Sequence, residues 1–71
     1  MRDPNRLYDF YNKLQKIHIT FFPDCRFGQL ITNFLFWLNN EKNIDSFFIE
    51  EDKMIDYIRE YTESFGNEVV W

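Results

Sequence analysis

Few side chains in this chain are of the types that bind metals or catalyse reactions. His18 and Cys25 are its single histidine and single cysteine, seven residues apart in the sequence. A protein zinc site takes about four ligands, so carboxylates would have to complete one here. Cys25 could act as a nucleophile if a helix start and Arg26 activated it, but no partner base is recognisable. We expect a packed histidine, a structural thiol, no metal, no cofactor and no enzymatic activity.

The carboxylates form the other candidate group. Residues 50–52 (E-E-D) lack the spacing and the central glycine of a calcium loop, and they suit the positive end of a helix. Residues 27–71 carry nine acidic and three basic side chains, whereas residues 1–26 carry three acidic and five basic ones. The acidic half is either a solvated face or a surface presented to a basic partner. The candidate acidic residues for such a partner are Glu51, Asp52, Asp56 and Glu60.

Three apolar stripes at the helical period indicate the elements that carry these residues. We expect each stripe to face the core, and the members are Leu7, Phe10, Tyr11, Leu14, Ile17, His18 and Phe21 in the first, Phe27, Leu30, Ile31, Phe34, Leu35 and Leu38 in the second, and Met54, Ile55, Ile58, Tyr61 and Phe65 in the third. The stripes predict helices near residues 4–21, 25–38 and 51–64, in a compact all-α, three-helix domain that spans residues 1–71. The connection between the first two helices is short, which favours direct antiparallel packing of these two. Gly28 weakens the second helix, and we expect it to admit a close neighbour.

The connection between the second and third helices has two parts. Residues 39–43 are polar and predict a loop, and residues 44–49 form an apolar run too short for an α-helix. We expect this run to be a short extended segment that inserts Phe47 and Phe48 into the core.

The second helix carries aromatic side chains outside its main stripe. Phe36 shares a face with Gln29 and Asn33, and Trp37 lies at the border of that face. The tail that ends in Trp71, a second copy of the chain or a foreign partner would cover these rings. Phe36, Trp37 and Trp71 are therefore candidate partner-binding residues.

Charged residues near two predicted helix starts suggest a structural ion-pair junction rather than an anion site. Its arginines and carboxylates would join separate parts of the sequence. The candidate members are Arg6, Asp24, Arg26, Asp45 and Glu50.

Three blocks of the sequence also resemble a family of small bacterial and phage-borne proteins. Residues 2–6 (R-D-P-N-R), 23–33 (P-D-C-R-F-G-Q-L-I-T-N) and 45–52 (D-S-F-F-I-E-E-D) resemble its patterns R-D-P-x-R, P-D-x-R-(F/L)-G-Q-L and D-x-F-(F/Y)-(I/V)-E-D in the same order, with Glu51 where the last pattern has Asp. The likeness covers most of residues 2–58. The resemblance implies a small helical domain and brings no established activity with it.

Taken together, the residues favour a small cytoplasmic protein–protein interaction module, an accessory or inhibitor protein, with an unidentified protein partner and a possible homodimer. A single cysteine suits a reducing compartment, and no apolar run approaches the length of a membrane span. The alternative is a divergent helix-turn-helix-like DNA-binding regulator that reads DNA with the second helix. Nucleic acid is an unlikely ligand because the chain lacks a basic stripe.

Overall fold

The computed structural model describes residues 2–70 and confirms the predicted all-α, three-helix architecture. Helix α1 spans Arg6–Phe21, α2 spans Phe27–Lys42 and α3 spans Glu51–Glu63. A single 3₁₀ turn, Ser46–Phe48, lies between α2 and α3. The described residues contain no β-strand.

The start of α1 lies two residues later than predicted because a local turn precedes it. The Asp3 carboxylate accepts a hydrogen bond from the backbone N–H of Asn5 at 2.9 Å, which closes a turn over residues 3–5. At the other end, the Phe22 N–H donates to the His18 carbonyl. Pro23 follows Phe22, and a proline disfavours helical backbone at the residue that precedes it, so α1 ends at Phe21.

Helix α2 is displaced toward the C-terminus relative to the prediction. Its start is capped by Gln29, whose side chain accepts from the Arg26 N–H at 2.9 Å. The polar residues 39–42 continue the helix, so the predicted loop at 39–43 is wrong. Polar side chains can extend a helix along its solvent face, and α2 ends where Asn43 adopts a left-handed backbone with φ of 55°.

Helix α3 is the central element, because α1 and α2 both pack against it while the contact between α1 and α2 is at most slight. Arg6 at the start of α1 pairs with Glu51 at the start of α3, and Phe22 after α1 stacks on Tyr61 near the end of α3. These contacts align α1 and α3 in the same direction. The packing of the first two helices on each other is therefore looser than predicted, since each approaches α3 more closely than it approaches the other.

The core combines aliphatic side chains with an aromatic cluster around Tyr61. The rings of Phe22, Phe34, Trp37 and Phe65 all lie within 6 Å of the Tyr61 ring, centroid to centroid. The buried apolar side chains come from all three helices and from the tail: Ile17, Leu30, Phe34, Leu38, Ile55, Ile58, Tyr61 and Val69.

The prediction that Phe47 and Phe48 insert into the core is wrong. Their side chains are 82% and 79% exposed. The Asp45 carboxylate accepts from the Phe47 N–H at 3.0 Å and stabilises a 3₁₀ turn where an extended segment was expected. Only the flanking Ile44 and Ile49 pack against the core from this segment, and the turn directs both rings outward.

Gly28 also differs from its expected role. A Cβ atom at this position would meet no atom of residues 2–70 within 4 Å apart from its chain neighbours and its own helix backbone, so none of the other described groups packs against this site.

Candidate protein-interaction surface

An apolar groove lies between α1 and α2 because both helices pack on α3 and hardly on each other. Its floor is Met54 and Ile58 of α3. No charged side chain is among the described residues that line it. We call it the α1–α2 groove, and its walls are Phe10, Tyr11, Leu14, Phe27, Ile31, Phe34, Leu35 and Ser46.

Exposed aromatic residues line this groove or directly adjoin residues that line it. Tyr11 and Phe27 line it and are 59% and 61% exposed. Ser46, also in the groove wall, is followed directly by Phe47 and Phe48, whose rings contact each other edge to face at 4.8 Å between centroids. Tyr8 lies beside Tyr11 on α1 and is largely exposed. We call Tyr8, Tyr11, Phe27, Phe47 and Phe48 the aromatic rim.

The aromatic residues that the sequence suggested for partner binding lie elsewhere. Phe36 is 70% exposed, as its position outside the main stripe predicted, and it lies on the side of α2 opposite Phe27. Trp37 contacts the Phe34 and Tyr61 rings at 6.3 and 5.3 Å between centroids, so the expectation that it lies outside the three-helix core is wrong. Trp71 lies outside the described residues.

Trp37 faces inward because of its spacing from the core residues of α2. It follows Phe34 by three positions and Leu30 by seven, which places all three on one side of a helix. The tail as far as Val70 does not cover Phe36, which is exposed. Within this tail Val69 is buried and Val70 is exposed.

Sequence reasoning missed the aromatic rim because it assigned Phe27, Phe47 and Phe48 to the core. One available signal was the adjacency of Phe47 and Phe48. Neighbouring side chains in a tight turn point in different directions, so two adjacent rings rarely both face inward. For Phe27, helical periodicity gave its side of α2 correctly but could not show that this residue, at the start of the helix, is left largely exposed.

The acidic residues of α3 are partly occupied by ion pairs within the chain. Glu51 pairs with the Arg6 Nε at 2.7 Å, and Glu60 pairs with Lys42. Asp52 accepts a hydrogen bond from the Lys53 N–H, and Asp56 is exposed. Half of the predicted acidic partner surface is therefore bound to the chain's own cations.

The ion-pair junction contains fewer of its predicted members than expected. Arg6 does join the first block to the third, through Glu51, while Glu50 pairs with Arg2 at 2.6 Å. Arg26 and Asp24 form no ion pair with the other described residues, because the short turn before α2 keeps both on the surface. Asp45 is used to cap the 3₁₀ turn.

His18 and Cys25 lie close together, and the contact between them is a hydrogen bond to the Cys25 backbone rather than to its thiol. The His18 Nε2 lies 2.7 Å from the Cys25 backbone carbonyl. A carbonyl can only accept, so the Nε2 carries the proton and donates it. This bond ties α1 to the turn before α2 and leaves the Cys25 thiol free of any disulfide.

The pKa of the Tyr61 side chain lies above its ordinary value. Burial raises the pKa of the Tyr61 phenol, and the nearby Cys25 thiol raises it further. The hydroxyl is therefore kept neutral at the centre of an aromatic cluster, which is a structural role.

No group of three or more His, Cys, Asp and Glu residues within residues 2–70 is arranged to hold a metal ion. Over the same part of the chain, every helix is too short or too polar to cross a bilayer. Comparisons with protein-family models, with curated proteins and with solved structures found no match. The family resemblance therefore stays a prediction.

Proposed function

We propose that this protein is a protein–protein interaction module, an accessory or inhibitor protein of the cytoplasm, and that it binds through the α1–α2 groove and the aromatic rim. The observation that carries the proposal is the exposure of Phe47 and Phe48, which directly follow Ser46 in the wall of an apolar groove. Leaving a phenylalanine in water forgoes about 2 kcal/mol that burial would contribute. A chain this small gains from covering such rings.

The composition of the rim supports binding to a protein. Aromatic residues are enriched at the centres of protein interfaces, where they supply large contact areas at low entropic cost. The groove between Tyr11 and Phe27 provides a recess next to these projecting rings. Projecting rings beside a recess match the hot-spot pattern of protein interfaces.

The DNA-binding alternative has less support. Arg26 precedes α2 and Lys42 ends it, and Lys42 is paired with Glu60. The exposed face of α2 includes Gln29, Asn33 and Phe36, none of which is a cation. A helix that enters the major groove normally brings several phosphate-pairing or base-reading side chains.

The proposal is tested by photocrosslinking in cells of the source organism. A benzophenone amino acid replaces Phe48 in the full chain, and in a control it replaces Lys16, an exposed residue of α1 outside the groove. We expect a discrete covalent adduct with a protein from position 48 and none from position 16. No adduct at position 48, or the same adducts from both positions, would contradict the proposal.

A further inference from the structure

We propose that the occupant of the α1–α2 groove is a second copy of this chain, with the Phe47–Phe48 pair of each copy seated in the groove of the other. This inference rests on the proposed function and names the partner. Its starting point is the placement of a projecting apolar pair directly beside an apolar recess, joined through Ser46.

The surface is self-complementary. A projection and a recess that lie next to each other on one face can both be satisfied by a two-fold axis between them. Phe47 and Phe48 of one copy then enter the partner's groove, and the same contact is made in reverse. A foreign protein would have to supply a recess and a projection of its own.

The area available is of the size that a stable dimer needs. An aromatic side chain offers about 200 Å², so the five rings of the aromatic rim, at their observed exposures, offer about 700 Å² per copy. A standard stable interface buries about 800 Å² per partner. Full burial of the rim would supply most of that area, before any contribution from the other residues of the groove.

The charge distribution favours an apolar occupant over a basic one. No charged side chain is among the described residues that line the groove. The carboxylates of Asp52 and Asp56 line a separate cleft between α1 and α3, together with Arg6 and Lys13. A dimer formed through the groove therefore leaves its acidic residues in solvent.

The test uses three exposed phenylalanines with the same substitution. Sedimentation is measured for the wild type and for F47E, F27E and F36E over about a hundredfold range of concentration, with circular dichroism to verify folding. Phe47 is the projection, Phe27 lines the groove and Phe36 is the matched control on the opposite side of α2. We expect a wild-type dimer that F47E and F27E weaken by about thirtyfold or more, and F36E by about twofold or less.

A mixing experiment separates this contact from general stickiness. F47E keeps an intact groove and F27E keeps an intact projection, so a mixture can restore one of the two contacts. We expect the mixed dimer to form more tightly than either variant alone.

Three results would overturn the proposal. A wild type that stays monomeric assigns the groove to a foreign partner, which the crosslink at position 48 then identifies. A dimer weakened most by F36E places the interface on the other side of α2. A mixture no tighter than its components shows that projection and groove do not meet.

Discussion

At the scale of single residues, the side chains that could bind a metal or catalyse a reaction have structural roles instead. His18 was correctly interpreted as a packed histidine. Its hydrogen bond to the Cys25 carbonyl joins α1 to the turn before α2. Sequence alone could not give this bond, because its acceptor is a backbone atom in a turn whose geometry depends on the whole fold.

The first prediction concerns this bond. His18→Phe keeps a ring at the position but removes the donor, so we expect the free energy of unfolding to fall by about 1 kcal/mol. Cys25→Ser is the control, since it leaves the accepting carbonyl in place. The measurement is urea unfolding of both variants, and equal effects from the two would show that the bond contributes nothing.

Tyr61 gives a prediction about pH. Because the pKa of its phenol is raised in the folded state, its stabilising contribution is complete below about pH 10 and is lost as the pH rises through the folded-state pKa. We expect Tyr61→Phe to reduce the loss of stability between about pH 9 and pH 11, and Tyr8→Phe, at an exposed position, to leave it unchanged. Urea unfolding across this range would contradict the account if both variants behaved like the wild type.

At the scale of elements, periodicity predicted the existence of three helices, while their ends and partners depended on local and tertiary contacts. The apolar stripes of α1 and α3 gave Ile17, Ile55 and Ile58 as inward residues, and all three are buried. The extension of α2 to Lys42 was missed because polar residues carry no periodic signal. The closer packing of α1 and α2 on α3 than on each other was missed because a short connection favours, but does not dictate, close packing of the helices that it joins.

Substitution of the two glycines by alanine should have opposite effects on stability, because Gly28 lies inside a helix and Gly66 lies in a turn with positive φ. Gly28 lies in the first turn of α2 with open space around it, so Gly28→Ala should stabilise the fold by about 0.5 kcal/mol or more. Gly66 has φ of +85° in the turn after α3, so Gly66→Ala should destabilise by about 1 kcal/mol. Thermal unfolding of both variants gives the signs. A destabilising effect of Gly28→Ala would mean that a neighbour does approach Gly28.

The exposure of Phe48, in the connection between α2 and α3, can be tested by comparison with the buried Phe34 of α2. Phe34 is 2% exposed at the centre of the core, so Phe34→Ala should cost about 3–5 kcal/mol and could unfold the domain. Phe48 is exposed, and Phe48→Ala should change the free energy of unfolding by about 0.5 kcal/mol or less at concentrations where the chain is monomeric. A large cost at Phe48 would restore the idea that this ring belongs to the core.

At the scale of the whole molecule, three helices account for the fold but leave one side of it uncovered. α1 and α2 each bury a stripe against α3, and the groove between them remains apolar and open. The sequence correctly indicated that this chain has more apolar surface than its core uses. It located that surface at Phe36 and Trp37, because only the packed structure shows which side of α2 meets α3.

The most direct measurement is a map of the amide chemical shifts of ¹⁵N-labelled wild-type protein on about hundredfold dilution. We predict concentration-dependent shifts confined to the groove and its rim, near residues 8–14, 27, 31, 34–35 and 46–49, with the amides on the Phe36 side, Asn33 among them, unchanged. Shifts centred on Phe36, or a spectrum that does not change with concentration, would contradict the account that a second copy covers the α1–α2 groove.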